Sequence, residues 1–375
     1  RIPKHLLMEQ EMPLVEPKSH VMKIVPYIAG EAKIPGFDSP AKLSSNESPL
    51  GASPAAIRAY SDQAGRLELY PDGAAIALRQ ALAQAHGLNV DQVVCGTGSE
   101  QLIDCVCRAY VSPGDEVIFT EYAFVCYLIS TMAAGGVPVR VPEKNLTADV
   151  DAILEKVSPR TKVVFLANPN NPTGTWIPRA ELHRLRRELP EHVLLVVDAA
   201  YSEYCDQDEY SFGEELIEAE DGNTVVLHTF SKIFGLASLR VGWARAPREV
   251  AMALHRVRGV FNVSTAGQVA AIAALSDTGH TRAARQHNDK WLPWLDGELR
   301  KLGLEVTPSI GNFLLMHFDD AARCQSADAF LRGKGLILRP VANYGLPRSL
   351  RLSVGLEEDN RAVISALAQW QDSAS

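Results

Sequence analysis

Between about residues 92 and 245, short apolar runs alternate with longer amphipathic stretches. The runs are Gln92–Cys95, Glu116–Phe119, Val137–Val141, Lys162–Leu166, Val193–Val197 and Val225–Leu227. Several are rich in β-branched residues and apolar at consecutive positions, the pattern of parallel strands covered by helices on both faces. Helices are predicted over Ser99–Val111, Ala148–Val157 and Pro178–Leu189, and Ser112-Pro113-Gly114-Asp115 reads as a helix stop and turn. This alternation predicts a wound α/β sheet.

After Asn262 the texture changes. An Ala-rich helix is predicted from about Ala266 to Ser276, followed by a Trp- and Arg-containing helical stretch near residue 290. Strand-like runs follow at Phe313–Met316 and Leu350–Val354, and a last helix ends near Trp370. This is the pattern of a smaller α+β domain, and the first forty-odd residues join it because they precede the alternation. The expected division is a large α/β domain over residues 48–276 and a small α+β domain from residues 1–47 and 277–375, in keeping with roughly two domains for 375 residues.

Composition narrows the function classes. A formal net charge of −8 argues against general nucleic-acid binding, which wants a basic surface. It leaves room for a small anionic ligand, because a few arginines set the potential inside a cleft. The richest basic stretch, His183-Arg184-Leu185-Arg186-Arg187, reads as the solvated face of a helix. The six cysteines form no CxxC pair, and Cys105 and Cys107, two apart, point to different sides of a helix. Reduced thiols in a cytoplasm are the simplest account. The histidines lack metal-ligand spacing, so no metal is expected. No apolar stretch reaches the length of a membrane span. Arg1–His20 mixes charges and prolines without a continuous apolar core, so it is not read as a secretory signal.

Candidate chemistry gathers where the apolar runs end. Val225–Leu227 leads into Thr229-Phe230-Ser231-Lys232, with Arg240 eight positions further on. An amine, two hydroxyls and a guanidinium at a sheet edge suit an aldehyde cofactor that carries a phosphate. Arg240 beside Ser231 and Thr229 suits a bidentate phosphate contact. Val193–Val197 ends in Asp198-Ala199-Ala200-Tyr201. That carboxylate would keep a pyridine nitrogen protonated, although a helix-capping Asp with a packed Tyr fits the local sequence as well. Lys162–Leu166 runs into Asn168-Pro169-Asn170-Asn171-Pro172-Thr173-Gly174, a rigid turn that needs no function but would also hold an amide donor. Cys95-Gly96-Thr97-Gly98-Ser99-Glu100-Gln101 opens a helix with the glycines and free N–H groups of an anion site. The same segment begins a dinucleotide-binding motif, and Glu121 sits near the place of a ribose-binding acid. Gln101 stands where the third glycine would be, which weakens a nicotinamide reading.

Together these residues resemble the fold-type I pyridoxal-phosphate enzymes, in particular the histidinol-phosphate aminotransferase family. The resemblance spans about Val25 to Asn360. It rests on the order and spacing of Pro26-Tyr27, Leu43-Ser44-Ser45-Asn46-Glu47-Ser48-Pro49-Leu50-Gly51, Tyr70-Pro71-Asp72, Gly96-Thr97-Gly98-Ser99-Glu100, Asn171-Pro172-Thr173-Gly174, Asp198-Ala199-Ala200-Tyr201, Ser231-Lys232 with Arg240, Arg339-Pro340, and Tyr344-Gly345-Leu346-Pro347 leading to Arg351. It departs at Ala29-Gly30, where a Pro-Gly pair is usual, and at Phe124, where the ring stacker is often Tyr.

The resemblance implies a large mixed, mostly parallel sheet sandwiched by helices, a smaller α+β domain, and pyridoxal 5'-phosphate as cofactor. Lys232 would bond the cofactor's aldehyde carbon and carry the substrate's α-proton, Asp198 would pair with the pyridine nitrogen, and Asn171 and Tyr201 would bond the phenolic oxygen. Phe124 would stack on the ring. Ser99, the Glu100 backbone, Thr229, Ser231 and Arg240 would hold the phosphate, with Tyr70 reaching the phosphate of a neighbouring subunit in a homodimer. Arg351 would grip the substrate's acidic group, and Tyr27, Asn46 and Arg339 would line its pocket. The implied reaction turns L-histidinol phosphate and 2-oxoglutarate into imidazole-acetol phosphate and L-glutamate, in histidine biosynthesis. Its rivals on the same scaffold are an aromatic amino-acid aminotransferase and a threonine-phosphate decarboxylase-like enzyme. A binding protein that kept the fold is the rival of another class.

Overall fold

The computed structural model of the protein describes residues 15–28, 30–217 and 223–373. Of the arm read over Arg1–His20, residues 1–14 lie outside the described residues, as does Ala29. In chain order the strands among the described residues are Ala41–Lys42 (β1), Val93–Gly96 (β2), Glu116–Thr120 (β3), Val137–Val141 (β4), Thr161–Ala167 (β5), Leu194–Asp198 (β6), Thr224–Thr229 (β7), Gly242–Arg245 (β8), Glu305–Thr307 (β9), Phe313–His317 (β10), Leu336–Ile337 (β11), Arg339–Pro340 (β12) and Ser349–Ser353 (β13). A seven-stranded sheet has the order β2-β8-β7-β6-β5-β3-β4, and a four-stranded sheet the order β12-β13-β10-β9. β3 to β7 pair in parallel, whereas β8 is antiparallel to β7 and β2. The small sheet is antiparallel throughout, and β1 and β11 form a separate parallel pair.

The six apolar runs are all strands, and the fold is the α/β sandwich expected. Helices cover Gly98–Tyr110, Val150–Glu155, Arg179–Glu188, Thr265–Ser276, Thr278–Lys301 and Glu357–Ser373, close to the predicted spans. The strand of the large sheet absent from the prediction is β8. Its four residues follow the Ser231–Arg240 segment directly and carry no period of their own.

Side-chain parity explains the two-sided burial. Leu194 and Val196 of β6 pack with Val163, Phe165, Val225 and Leu227 on one face of the sheet, beside helix Gly98–Tyr110. Leu195 and Val197 pack with Val164, Leu166 and Val226 on the other face, beside helix Arg179–Glu188. Because side chains alternate along a strand, Ala167, Asp198 and Thr229 all continue the first face. A separate cluster, with Trp291, Leu295, Leu314, Leu350, Leu352 and Trp370 among its members, forms the core under the small sheet.

One surface reading needs correction. Arg186 does not lie on a solvated face; it is 2% exposed. Its guanidinium donates to the carbonyls of Val193, Asn223, Leu189 and Pro190 and so closes the end of its helix. The rest of the basic stretch is partnered at the surface, as in Arg184 with Asp151 and Glu181. Cys105 and Cys107, expected on different sides of one helix, are both buried, because that helix packs against β8, β7 and two neighbouring helices. All six cysteines are free.

Candidate active site

The parallel strands carry their last residues to one edge of the large sheet, where ligands sit in folds of this class. Register fixes who meets whom. Ala167 lies opposite Asp198, Asp198 opposite Leu227, Thr229 opposite Gly242, and Gly242 opposite Gly96. The ends of β5, β6, β7 and β2 therefore border one cavity of about 140 Å³. Its walls include Ser99, Glu100, Phe124, Asn171, Asp198, Tyr201, Thr229, Ser231, Lys232 and Arg240. Ten of the residues singled out in the sequence thus converge on one small space.

One end of the cavity gathers the groups expected to hold an anion. Gly98, at φ +76°, opens helix Gly98–Tyr110, and a Cβ there would run into the Arg240 guanidinium. A Cβ on Gly242 would run into the Gly98 and Ser99 backbone. Glycine is required at both places so that helix, strand and arginine close together. Arg240 donates to Ser231 Oγ at 3.2 Å and to the Ala237 carbonyl at 3.1 Å, and its far side faces Glu100 at 3.7 Å. Thr229 Oγ1 accepts from the Ser231 N–H at 3.1 Å. Gln101, which breaks the glycine motif, accepts from the Thr97 N–H at 2.8 Å and from Asn262 at 2.7 Å. Its side chain secures the loop and leaves the nicotinamide reading without its third glycine.

At the other end lies Asp198, almost fully buried. It caps no helix. Oδ2 accepts from the Tyr127 hydroxyl at 2.8 Å, and Oδ1 from the Ala200 N–H at 3.3 Å. Burial pushes its carboxyl upward, and the Tyr127 hydrogen bond opposes that most strongly. Tyr201 accepts from Asn46 Nδ2 at 2.9 Å and packs edge-on to Phe313. Since its oxygen is engaged as an acceptor, its own proton is available to the cavity.

Lys232 lies between the two ends. Its Nζ donates to the Ser45 carbonyl at 3.0 Å and sits 5.5 Å from the Tyr201 ring centroid. Burial, then the nearby Arg351 charge, push the amine down to about 7. Arg351 is buried too. It donates to the Ser44 carbonyl at 2.6 Å and to Asn171 Oδ1, while its Nε has no hydrogen-bond partner among the described residues. The Asn171 carbonyl is thereby fixed on Arg351, which leaves its amide nitrogen for the cavity.

Three predicted residues stand apart. Arg339 lies opposite Arg351 in the β12–β13 register and donates to the Ile28 carbonyl at 2.9 Å. With Tyr27 it lines a larger cavity of about 520 Å³, bounded also by Ile129, Met132 and Arg140. Tyr27 is half-exposed there and does not border the Lys232 cavity. Tyr70 is 81% exposed, stacked on Phe261 with ring centroids 4.7 Å apart, and does not reach this chain's cavity. The residue that sequence reasoning missed is Tyr127. It lies in the first turn of the helix Cys126–Ala133, three positions after Phe124, and its aromatic bulk reads as core.

The residues fit pyridoxal 5'-phosphate: a glycine-lined arginine cup for the phosphate, a buried carboxylate for the ring nitrogen, an amine between them, and an unbonded guanidinium N–H beyond. Sheet edge and side chains together define an enzyme of fold type I. The family model described as aminotransferase class I and II matches residues 39–367. Histidinol-phosphate aminotransferase of Rhodopseudomonas palustris is 50% identical over 358 residues, covering 94% of this chain and 98% of that protein. The Nitrobacter winogradskyi protein of the same name is 49% identical with the same coverage. The crystal structure of histidinol-phosphate aminotransferase from Sinorhizobium meliloti in complex with pyridoxal-5'-phosphate aligns with a TM-score of 0.87 at 27% identity, covering 97% of this chain and 100% of that one. The chain belongs to the aminotransferase class I and II family. Among its described residues no group of three or more His, Cys, Asp or Glu is placed to hold a metal ion, and no helix is long and apolar enough to cross a membrane.

Proposed function

We propose that this aminotransferase converts L-histidinol phosphate and 2-oxoglutarate into imidazole-acetol phosphate and L-glutamate, with pyridoxal 5'-phosphate as cofactor. The observation that carries the substrate is the common name of relatives about half identical over 94% of the chain. When bound, pyridoxal phosphate supplies an electron-withdrawing ring that stabilises negative charge at the substrate's α-carbon.

The chain's own residues account for the rest. An amine pushed down to about 7 makes Lys232 both a nucleophile and a proton carrier near neutral pH. Asp198 provides the counter-charge for the ring-nitrogen proton. Asn171 and Tyr201, each with its other hydrogen bond already committed, donate to the phenolic oxygen. Phe124 packs on the ring face. Ser99, the Glu100 N–H, Thr229, Ser231 and Arg240 hold the phosphate. The unbonded Nε of Arg351 receives the substrate's acidic group. Arg339 and Tyr27 extend the pocket towards the larger cavity, and Asn46 holds Tyr201 in place. Such a site takes a phosphate and a carboxylate in turn because guanidinium forks suit both anions.

The same reading carries a cytoplasmic homodimer and the division into residues 48–276 and residues 1–47 with 277–375. Support for a second subunit comes from Leu67, Tyr70 and Val260, large apolar side chains 74–83% exposed, with Tyr70 paired to Phe261 among them. Support for a cytoplasmic setting comes from six free cysteines in an acidic chain. Initial rates with L-histidinol phosphate, phenylalanine and phosphothreonine test the substrate. Histidinol phosphate is expected to turn over fastest, and equal or faster exchange with phenylalanine overturns the assignment.

A further inference from the structure

The Tyr127 hydroxyl is a polar group at the end of a ring that is otherwise wholly buried in hydrocarbon. The ring lies face to face with Phe165, centroids 4.8 Å apart and planes parallel. It meets Phe124 edge-on at 6.1 Å and Phe119 at 6.2 Å. Held on three sides, the ring cannot swing, and its hydroxyl is aimed at Asp198 Oδ2 at 2.8 Å. Helix Cys126–Ala133, which carries it, follows directly on the segment that presents Phe124 to the cavity. One aromatic side chain thus touches both the carboxylate and the ring-stacking residue of the cofactor site.

We infer that Tyr127 is a positioning residue: its hydroxyl holds the Asp198 carboxylate ionised and oriented so that it can keep the cofactor's ring nitrogen protonated. The inference rests on the cofactor reading given above. A buried carboxylate with few donors takes up a proton readily, and a phenol donor that cannot rotate away resists this. Among the described residues the other hydrogen bond to the Asp198 carboxylate is the long one from the Ala200 N–H at 3.3 Å. The other titratable groups around the carboxylate are Lys232, His228, Tyr201, Cys126 and Tyr210. His228 lies on the opposite parity of β7 and pairs with Glu214 at 3.6 Å. Tyr127 alone among these donates to Asp198.

The test uses holoenzyme and the near-isosteric Tyr127→Phe, which keeps the ring stack and removes one oxygen. Two quantities are read besides turnover: the dissociation constant of pyridoxal phosphate, and the pH at which the bound cofactor's visible band shifts. Loss of a hydrogen bond to a charged acceptor is expected to raise the dissociation constant roughly ten- to hundredfold. The band shift is expected to move to higher pH, because the ring nitrogen loses positive charge beside the Lys232 nitrogen. The same change is then made on Asp198→Asn. If Tyr127 acts through the carboxylate, Y127F has little further effect on D198N; equal losses in both backgrounds reduce Tyr127 to packing and overturn the inference. An unchanged dissociation constant and band shift in Y127F also overturn it. Wild-type protein that binds no pyridoxal phosphate would sink the cofactor reading instead.

Discussion

The depressed basicity of Lys232 has a kinetic consequence in the cofactor-free protein. Only the neutral amine attacks an aldehyde. With the amine at about 7, about half of it is neutral at neutral pH, against roughly one in a few thousand for an ordinary lysine. Between about pH 6 and about pH 8 the neutral fraction rises about tenfold and then levels off, whereas an unperturbed lysine would gain about a hundredfold and keep rising. The assay is the rate at which apoprotein captures pyridoxal phosphate, followed by visible absorbance and divided by the rate constant of a simple amine's neutral form at each pH. That division removes the cofactor's own ionisation. After burial, the Arg351 charge is the main influence holding the amine down, so Arg351→Gln should move the plateau to higher pH. Capture that climbs log-linearly beyond about pH 9 in the wild type, or a midpoint that falls in R351Q, refutes the reasoning.

Other perturbations reach the remaining parts of the site and fold. Asp198→Asn should lower turnover by about a hundredfold or more in single-turnover kinetics, because the ring nitrogen loses its counter-charge. Gly98→Ala should weaken pyridoxal phosphate binding about tenfold while leaving phosphate-free pyridoxal unaffected, since the new methyl displaces Arg240. Arg186→Met should destabilise the fold by about 3 kcal/mol in urea titration, because several buried carbonyls lose their donor. Mixing inactive Lys232→Ala with inactive Tyr70→Ala should restore up to about a quarter of wild-type activity if Tyr70 acts across a two-fold interface. No recovery after verified subunit exchange would remove Tyr70 from the partner's site.

The large sheet was legible because strands buried on both faces write themselves as apolar runs, and its parity placed Ala167, Asp198 and Thr229 on one side. The meeting of Gly98, Ser231 and Arg240 was legible too, from glycines at a helix start and an arginine near a strand end. β8 was not. Four residues of an antiparallel strand between Arg240 and helix Arg248–Val257 show no alternation, and β8 is defined by pairing with β2 and β7, far away in sequence. Arg186 was misread for a related reason. A charge on a helix is a solvated charge by default, and only the fold shows which carbonyls it finds. Tyr127 was hidden by its apolar bulk, which reads as core, while its one oxygen does something a phenylalanine could not.

Asn46 shows how far a residue's neighbourhood differs from the place a sequence assigns it. It was expected to line the substrate pocket, yet it is buried at φ +54°, a left-handed conformation that asparagine tolerates better than most residues. Ser44-Ser45-Asn46 is a seam between the two sheets. From the small-sheet side, Arg351 donates to Ser44, Asn312 to the Asn46 carbonyl, and Ser353 exchanges hydrogen bonds with the Asn46 backbone and side chain. From the large-sheet side, Lys232 donates to Ser45, and Asn46 itself donates to Tyr201. The group proposed to hold the substrate's anion and the amine proposed to do the chemistry thus hang on neighbouring carbonyls of one short segment. An anion drawn to the free Nε of Arg351 acts on the same guanidinium that fixes Asn171 and lowers the basicity of Lys232. Substrate charge, amide orientation and amine acidity are therefore coupled through one side chain. That coupling belongs to the geometry, because Ser44 and Arg351 are 307 residues apart in the chain.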